Sequence, residues 1–276
     1  SADSLSGGAG YDTLKLDGSD GGYPGRILLG GGSSGFERVE ISGPFQDYRI
    51  KLADSFAAPS ADSDTLTIAT PGGFSSIDFN GAAERDMKLV ILTEDGNDAL
   101  TGGKMDDVFV LDGGSDTVKG GGGDDLFEYA INPGLDASDR MDGGRGFDTI
   151  DMNGTVNLTL GAGTIHNIEM IRLNSSDGSL TLDDQNTAAG ATLTIDISRG
   201  LNNAVDGSAE TDGKLELLGG GWGDTLTGGA GADRIVGGSQ TVFGVDVLTG
   251  GGGADHFVWQ SMDEIHSVNG GGPDLI

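Results

Sequence analysis

Aspartate recurs at one fixed place in a nine-residue frame along two stretches of this sequence. Residues 93–128 divide into four consecutive units of nine, and Asp stands at the sixth place of each. Residues 219–258 hold four further units, one of them lengthened by four residues, with Asp at the corresponding place. The frame contains no Cys and no regularly placed His, so carboxylate and carbonyl oxygens are the available ligands. An all-oxygen ligand set favours Ca²⁺ ahead of Mg²⁺ or Zn²⁺.

The other places of the frame indicate the backbone that presents these aspartates. Glycines are concentrated before the Asp, where they permit the left-handed angles of tight turns and expose carbonyl groups. The last three places alternate in side-chain direction as in a short strand, with an apolar residue at the eighth. One unit is therefore a turn followed by a strand, and two units complete one coil. Coils of 18 residues place Asp98 over Asp116 and Asp107 over Asp125.

The overall charge agrees with a cation-binding role. The 276 residues include 53 glycines, and 44 acidic against 15 basic residues give a net charge of −29. Carboxylates stacked at the strand spacing of about 5 Å repel one another, so a cation has to lie between them. The same charge disfavours nucleic acid and anionic membranes as partners. The absence of Cys excludes disulfides and thiolate metal sites, and no stretch approaches the roughly 18 apolar residues of a membrane span.

Two catalytic or nucleotide-binding interpretations fit the sequence poorly. The glycine loops are followed by Asp instead of the Gly-Lys-Ser/Thr of a phosphate-binding loop. Paired acids such as Asp106 and Asp107 could act as glycosidase carboxylates, but such pairs recur along the array, as ligands do and a single active site does not. We therefore expect the chain to be no enzyme.

In its complete units, "GGAGADRIV" (228–236) and "GGGGADHFV" (250–258), the frame resembles the RTX, or haemolysin-type, calcium-binding repeat of secreted bacterial proteins. The resemblance implies a parallel β-roll in which the sixth-place Asp and carbonyls of the glycine loop hold Ca²⁺ between consecutive turns. It also implies export by type I secretion. Three departures from the pattern stand out: Met105 replaces a loop glycine, two units lack the leading Gly pair, and the insertion at 240–243 separates Asp224 from Asp246 by 22 residues.

The repeat pattern gives a set of expected calcium ligands and a count of about six to ten Ca²⁺ ions. The expected ligands are Asp12, Asp98, Asp107, Asp116, Asp125, Asp148, Asp224, Asp233, Asp246, Asp255, Asp274, Gly102, Gly120, Gly122, Gly228, Gly250 and Gly252.

A longer period lies above the nonapeptide. "GGAGYDTL" at 7 recurs as "GGRGFDTI" at 143, and "GNDALTGGKMDDVF" at 96 recurs as "WGDTLTGGAGADRI" at 222. We expect two tandem modules, residues 1–142 with an array at 93–128 and residues 143–276 with an array at 219–258. Both ends of the sequence lie in repeat-like segments, and we expect the chain to be part of a longer protein.

The segments between the motifs, 16–92 and 152–217, carry alternating strand patterns and weak helix signals. Examples are "RVEI" (38–41), "KLVILT" (88–93) and "KLELL" (214–218), the last of which runs directly into an array. We expect an all-β parallel β-roll or β-solenoid, with longer, ion-free coils between the calcium-binding ones. A β-sandwich inserted before each array is the alternative.

These observations predict a calcium-binding structural module of a secreted or cell-surface bacterial protein, of the adhesin or surface-layer type. It would fold on binding Ca²⁺ after export, since carboxylate repulsion keeps the calcium-free chain open. Its partners would be calcium ions and neighbouring modules, further copies of itself or surface polysaccharide. The alternative is the C-terminal accessory and secretion region of a secreted protease, lipase or alginate-modifying enzyme.

Overall fold

The computed structural model describes a chain built almost wholly of short strands. The described residues are 5–17, 26–30, 34–42, 47–54, 56, 64–71, 76–129, 134–238, 244–258 and 267–269. Asp274 lies outside these residues.

Twenty-five strands and one short 3-10 helix make up the described secondary structure. The strands up to residue 145 are β1 (Thr13–Asp17), β2 (Arg26–Leu29), β3 (Arg38–Ser42), β4 (Asp47–Leu52), β5 (Thr65–Ala69), β6 (Ser76–Asn80), β7 (Lys88–Leu92), β8 (Ala99–Thr101), β9 (Val108–Leu111), β10 (Thr117–Gly122), β11 (Leu126–Tyr129) and β12 (Arg140–Arg145). The remaining strands are β13 (Thr149–Asn153), β14 (Asn157–Thr159), β15 (Ile165–His166), β16 (Met170–Asn174), β17 (Ser179–Thr181), β18 (Thr192–Asp196), β19 (Ala204–Asp206), β20 (Lys214–Leu218), β21 (Thr225–Thr227), β22 (Arg234–Val236), β23 (Val247–Thr249), β24 (His256–Val258) and β25 (Ser267–Asn269), and the 3-10 helix is Asp184–Asn186.

Alternating side chains explain why these segments are strands. In β3 and β7 the second and fourth residues are buried and their neighbours are only partly covered, the pattern of a strand with one face on a core. In the three-residue strands of the arrays the central residue, the eighth of the frame, is buried, and in β22 Val236 is buried beside it. The alternation that predicts the strands thus also fixes which face points inward.

Two compact units divide the chain, residues 1–128 with 139–148 and residues 129–138 with 149–276. The strands of each unit form two parallel layers, and successive strands mostly alternate between them. In the first unit the orders are β1-β3-β5-β7-β9-β11 and β2-β4-β6-β8-β10-β12. In the second they are β13-β16-β18-β20-β22-β24 and β14-β17-β19-β21-β23-β25. One strand from each sheet completes one coil, so each unit is a parallel β-solenoid.

The register of the sheets confirms the predicted coil length. Leu100 pairs with Val118, and Ile91 pairs with Phe109, each one 18-residue coil further along the chain. The segments between the motifs join the same sheets with longer coils, as Leu66 pairs with Leu89. The solenoid interpretation of these segments is therefore correct, and the inserted sandwich is not observed in the described residues.

The eighth-place residues form the core of each unit's coils. Phe109 and Phe127 lie one coil apart and stack with ring centroids 5.2 Å apart. The eighth-place residues of the arrays, each at most 1% exposed, are Leu100, Phe109, Val118, Phe127, Leu226, Ile235, Leu248 and Phe257. Across the described residues, no helix has the length and apolar character needed to cross a membrane.

Candidate metal centre

The sixth-place aspartates are buried, which is unusual for a charged side chain. Each of those in the two arrays is at most 2% exposed, and so is Asp148 in the single unit at 143–151. Asp12, in the single unit at 7–15, is partly exposed, and its backbone N–H donates to Oε2 of the buried Glu37. A buried carboxylate needs hydrogen bonds and a compensating charge, so these side chains require a partner.

One oxygen of each array aspartate takes part in a ladder that runs from coil to coil. In the first ladder of the first unit, the N–H of Ile77 donates to Oδ1 of Asp98 at 2.8 Å. The N–H of Asp98 donates to Oδ1 of Asp116 at 2.9 Å, and that of Asp116 to Oδ1 of Asp139 at 2.7 Å. Each aspartate thus hydrogen-bonds the backbone of the equivalent residue one coil before it.

A second ladder of the same design occupies the other edge of this unit. It begins with the N–H of Leu89 on Oδ1 of Asp107 at 2.8 Å. The N–H of Asp107 donates to Oδ1 of Asp125, and that of Asp125 to Oδ1 of Asp148, both at 2.8 Å. The structure therefore brings Asp98 together with Asp116, and Asp107 with Asp125, as the 18-residue spacing predicts.

The second unit repeats both ladders despite its longer spacing. The N–H of Asp224 donates to Oδ1 of Asp246 at 2.9 Å, and that of Asp233 to Oδ1 of Asp255 at 3.0 Å. Both pairs are 22 residues apart. The four-residue insertion, whose residues 240–243 lie outside the described part, is therefore accommodated without moving the sixth places out of line.

The second carboxylate oxygen has a donor in some loops and none in others. Oδ2 of Asp98 is buried and accepts no hydrogen bond. In other loops the N–H of the second-place glycine donates to this oxygen, as from Gly229 to Asp233 at 2.7 Å and from Gly103 to Asp107 at 2.5 Å. In Asp125, one coil later, Oδ2 is buried and accepts no hydrogen bond. Such an oxygen is costly to bury unless a cation compensates it.

First-place glycines leave the space into which these carboxylates turn. A Cβ at Gly120 would lie 2.1 Å from Oδ2 of Asp125, and one at Gly250 would lie 2.0 Å from Oδ2 of Asp255. The same collision, at 2.5 Å and 2.4 Å, would occur at Gly102 and Gly228. Any side chain at this place would therefore displace the carboxylate.

Third-place glycines are under less steric constraint. A Cβ at Gly122 would have its nearest neighbour, a carbonyl oxygen, at 4.0 Å, and one at Gly252 would meet Ala230 at 3.2 Å. Glycine at the second and fourth places of this loop has a different role, since Gly121 and Gly123 have φ of 113° and 103°. These left-handed angles shape the loop around the carboxylates.

Electrostatics shows how poorly the carboxylates are compensated by the protein alone. Burial raises the pKa of Asp125 to about 8, with a further contribution from the carboxylates of Asp107 and Asp148. Burial likewise raises the pKa of Asp107 and of Asp224 to about 6. The ionised carboxylates are therefore unfavourable in these positions until a positive charge joins them.

The residues present fit calcium on three counts. Asp125 offers a buried oxygen without a hydrogen-bond donor, first-place glycines leave room beside the carboxylate, and the ladders contain only oxygen ligands. Flexible coordination by carboxylate and carbonyl oxygens is what Ca²⁺ prefers.

Sequence reasoning missed two members of the ladders. Asp139 is fully buried and takes the place of a sixth-place Asp, although it lies outside the nonapeptide frame. Asn203 holds the equivalent place before Asp224: its N–H donates to Oδ1 of Asp224, and its own Oδ1 accepts from the N–H of Gly178. The only sequence signal for either was a polar residue directly before a short strand.

Comparison with known proteins identifies the repeats. A family model described as RTX calcium-binding nonapeptide repeat (4 copies) matches residues 1–20, 92–127, 133–151, 217–241 and 243–258, together less than half of the chain. No curated protein and no solved structure gives a significant match to the sequence. The matched segments contain every expected ligand except Asp274.

Proposed function

Because the matched segments are RTX repeats, which bind Ca²⁺, we propose that this chain is a calcium-dependent structural module of a secreted or cell-surface protein. The calcium ions would be held by the sixth-place aspartates and by carbonyl groups of the glycine loops that stack on them. When bound, calcium supplies the positive charge that the buried carboxylates lack.

The observation that carries this proposal is the stacked, buried carboxylates of the ladders. Asp107, Asp125 and Asp148 follow one another along one edge with at most 1% of each residue exposed. Three adjacent buried carboxylates are strongly unfavourable in their ionised form unless cations compensate their charge. A fold that depends on bound cations forms only where they are available.

The resulting mechanism is a folding switch. Where calcium is scarce, repulsion among the 44 acidic residues keeps the chain open for export. Outside the cell, calcium at roughly 10⁻⁴–10⁻³ M, the range of extracellular modules, neutralises the ladders and drives folding. Each site contributes about 2.7 kcal/mol when calcium is at 100 times its Kd, so several sites together outweigh the repulsion.

Circular dichroism of the full chain during a calcium titration tests the switch. We expect little β-signal in EGTA and a cooperative gain on adding Ca²⁺, with Mg²⁺ much less effective. Asp125→Asn should shift the midpoint to higher calcium, since it removes a charged ligand but preserves an Oδ1 acceptor. Asp78→Asn, at an exposed strand position 3.7 Å from Arg49, is the control and should leave the midpoint unchanged. Equal β-signal with and without calcium would refute the proposal.

We propose an adhesin or surface-layer role, supported by the recurrence of one arrangement of strands and ladders in the two compact units. That this recurrence reflects tandem modules at residues 1–142 and 143–276 is part of the proposal. Repeated modules suit an extended scaffold. Calcium-dependent self-association, measured by analytical ultracentrifugation, or calcium-dependent binding on a polysaccharide array would support it. A monomer that binds neither itself nor any polysaccharide in calcium would count against it and favour an accessory region of a secreted enzyme.

A further inference from the structure

Two turns outside the matched repeats share one sequence pattern and one position in the fold. Residues 81–88, "GAAERDMK", and residues 207–214, "GSAETDGK", lie 126 residues apart and connect a strand of one sheet to a strand of the other. Both contain Glu-x-Asp, and we call them the Glu-x-Asp turns. The family match leaves both of them out.

The backbones of the two turns follow the same hydrogen-bond pattern. The N–H of Glu84 donates to the carbonyl of Gly81 at 2.8 Å, and that of Glu210 to the carbonyl of Gly207 at 2.9 Å. Each turn also lies against the glycine loop of the second nine-residue unit of the array that follows it. The carbonyl oxygen of Glu210 accepts the N–H of Ala230 at 2.8 Å, and a Cβ at Gly103 would lie 3.0 Å from the carbonyl oxygen of Glu84.

Each turn gathers three carboxylates, one of them contributed by the preceding coil. In the first unit, carboxylate oxygens of Asp54, Glu84 and Asp86 all lie within 4.8 Å of one another. In the second unit, Asp184, Glu210 and Asp212 form the same arrangement, with the glutamate buried and both aspartates exposed in each case. Acidic residues that cluster on a surface are common, so the buried glutamates are the informative members.

Each buried glutamate of these clusters also has one carboxylate oxygen without a hydrogen-bond donor. Glu84 is 0% exposed; its Oε1 accepts the N–H groups of Arg85, Asp86 and Met87 at 3.0, 3.3 and 3.2 Å, which fixes the carboxylate. Its Oε2 is buried and accepts no hydrogen bond.

Glu210 repeats this arrangement in the second unit. It is 1% exposed, and its Oε1 accepts the N–H groups of Asp212 and Gly213 at 3.0 and 2.7 Å. Its Oε2 is also buried and accepts no hydrogen bond. Both copies of the turn therefore leave the same oxygen unsatisfied, at a cost that a cation would remove.

The two exposed aspartates of the second cluster border an open space that solvent can enter. Asp184 and Asp212 line an open cavity of about 320 Å³. Asp184 is held in place because the N–H and hydroxyl of Thr211 donate to its Oδ1 at 2.8 and 2.5 Å. Two exposed carboxylates and one buried, fixed carboxylate make a preorganised oxygen site with solvent access.

We propose that each Glu-x-Asp turn binds one Ca²⁺, through the buried glutamate and the two aspartates, and so caps the array that follows. The proposal goes beyond the calcium sites of the nonapeptide repeats, since it places ions in coils that we expected to be ion-free. An ion here would fix the turn on which the glycine loop of the second unit of each array stacks, the loop in which Asp107 or Asp233 has its second oxygen hydrogen-bonded.

Native mass spectrometry and calorimetry of the full chain in Ca²⁺ test the proposal. The double variant Glu84→Gln, Glu210→Gln retains size and an acceptor oxygen but removes the buried charge. We expect it to bind two fewer calcium ions than the unmodified chain, and each single variant to bind one fewer. Asp78→Asn, outside both clusters, should bind the full number. A double variant that retains the full number of ions would overturn the proposal.

A second pair of variants tests the same sites at exposed residues, in case the changes at the buried glutamates prevent folding. Asp54→Asn and Asp184→Asn change exposed ligands, and we expect each to lose one ion at the calcium concentration that saturates the unmodified chain. Full occupancy in this pair would likewise overturn the proposal. The two sets of sites are separable: Asp125→Asn removes calcium from a ladder and leaves the turn ions in place. If the ladders bound no calcium, the unmodified chain would bind two ions and the double glutamine variant none.

Discussion

At the scale of the residue, Asp125 illustrates how one side chain serves two purposes. Its Oδ1 accepts the N–H of Asp107 one coil before it, so the carboxylate aligns successive coils even without an ion. Its Oδ2 is buried without a hydrogen-bond donor, so a bound cation would stabilise the same carboxylate. Gly120 makes this possible because it leaves the carboxylate space that any Cβ would fill.

We therefore predict that Gly120→Ala destabilises the calcium-bound chain by about 1–3 kcal/mol, the usual range for an overpacked site. The added methyl group would lie 2.1 Å from Oδ2 of Asp125 and 2.5 Å from the carbonyl oxygen of Gly143. Gly122→Ala is the matched control, since its Cβ would have no neighbour closer than 4.0 Å. Thermal unfolding in saturating calcium measures both variants, and equal melting temperatures would contradict the steric role of Gly120.

At the scale of the element, one coil consists of two turns and two short strands, and each array strand buries the apolar side chain at its eighth place. Three-residue strands such as β8 and β21 bury too little surface to be stable alone. They are stable because the parallel register places each eighth-place residue over the corresponding residue of the next coil, as in the stacked pair Phe109 and Phe127. Ladders and core therefore depend on the same register.

Phe109→Ala should lower the free energy of unfolding in calcium by about 3–5 kcal/mol, because it leaves a cavity in place of a fully buried ring. The calcium midpoint should rise as well, since folding and binding are coupled. Phe147→Ala provides the control, because that ring is 47% exposed. Chemical denaturation followed by circular dichroism gives both values. A similar decrease in the free energy of unfolding in the two variants would show that the eighth place contributes no more to stability than an exposed position.

At the scale of the whole molecule, a net charge of −29 and a set of buried carboxylates make stability depend on what neutralises them. Calcium is one means and protons are another. The raised pKa values, about 8 for Asp125 and about 6 for Asp107 and Asp224, mean that the folded chain binds protons more tightly than the unfolded chain, whose Asp pKa is about 3.9. Protonation thus favours the folded state.

The sign gives a pH prediction for the calcium-free chain. The stabilisation is fully present below about pH 4 and is lost as the pH rises through the folded pKa values to about 8. We expect calcium-stripped protein to gain β-structure as the pH falls from 8 towards 5. With calcium present, we expect the chain to be folded at pH 8 as well. Circular dichroism in calcium-depleted buffer measures it, and greater folding at pH 8 than at pH 5 would have the wrong sign.

The sequence by itself determined the solenoid, the coil length and the array aspartates, because the nonapeptide is a strictly local period. With nine residues per turn and strand, Asp98 and Asp116 must fall in line, and the apolar residue two places later must point inward. The middle strands were equally visible from their alternation, as in β3, β7 and β20.

Only the tertiary structure decided what the longer coils bring together. Asp54 and Glu84 lie 30 residues apart, and Asp184 and Glu210 lie 26 apart, so no common period marks them as neighbours. Asp139 and Asn203 join the ladders from outside the frame for the same reason. Where coil length varies, the partner of a side chain is set by the register of the neighbouring strands, and that register exists only once the coils have stacked.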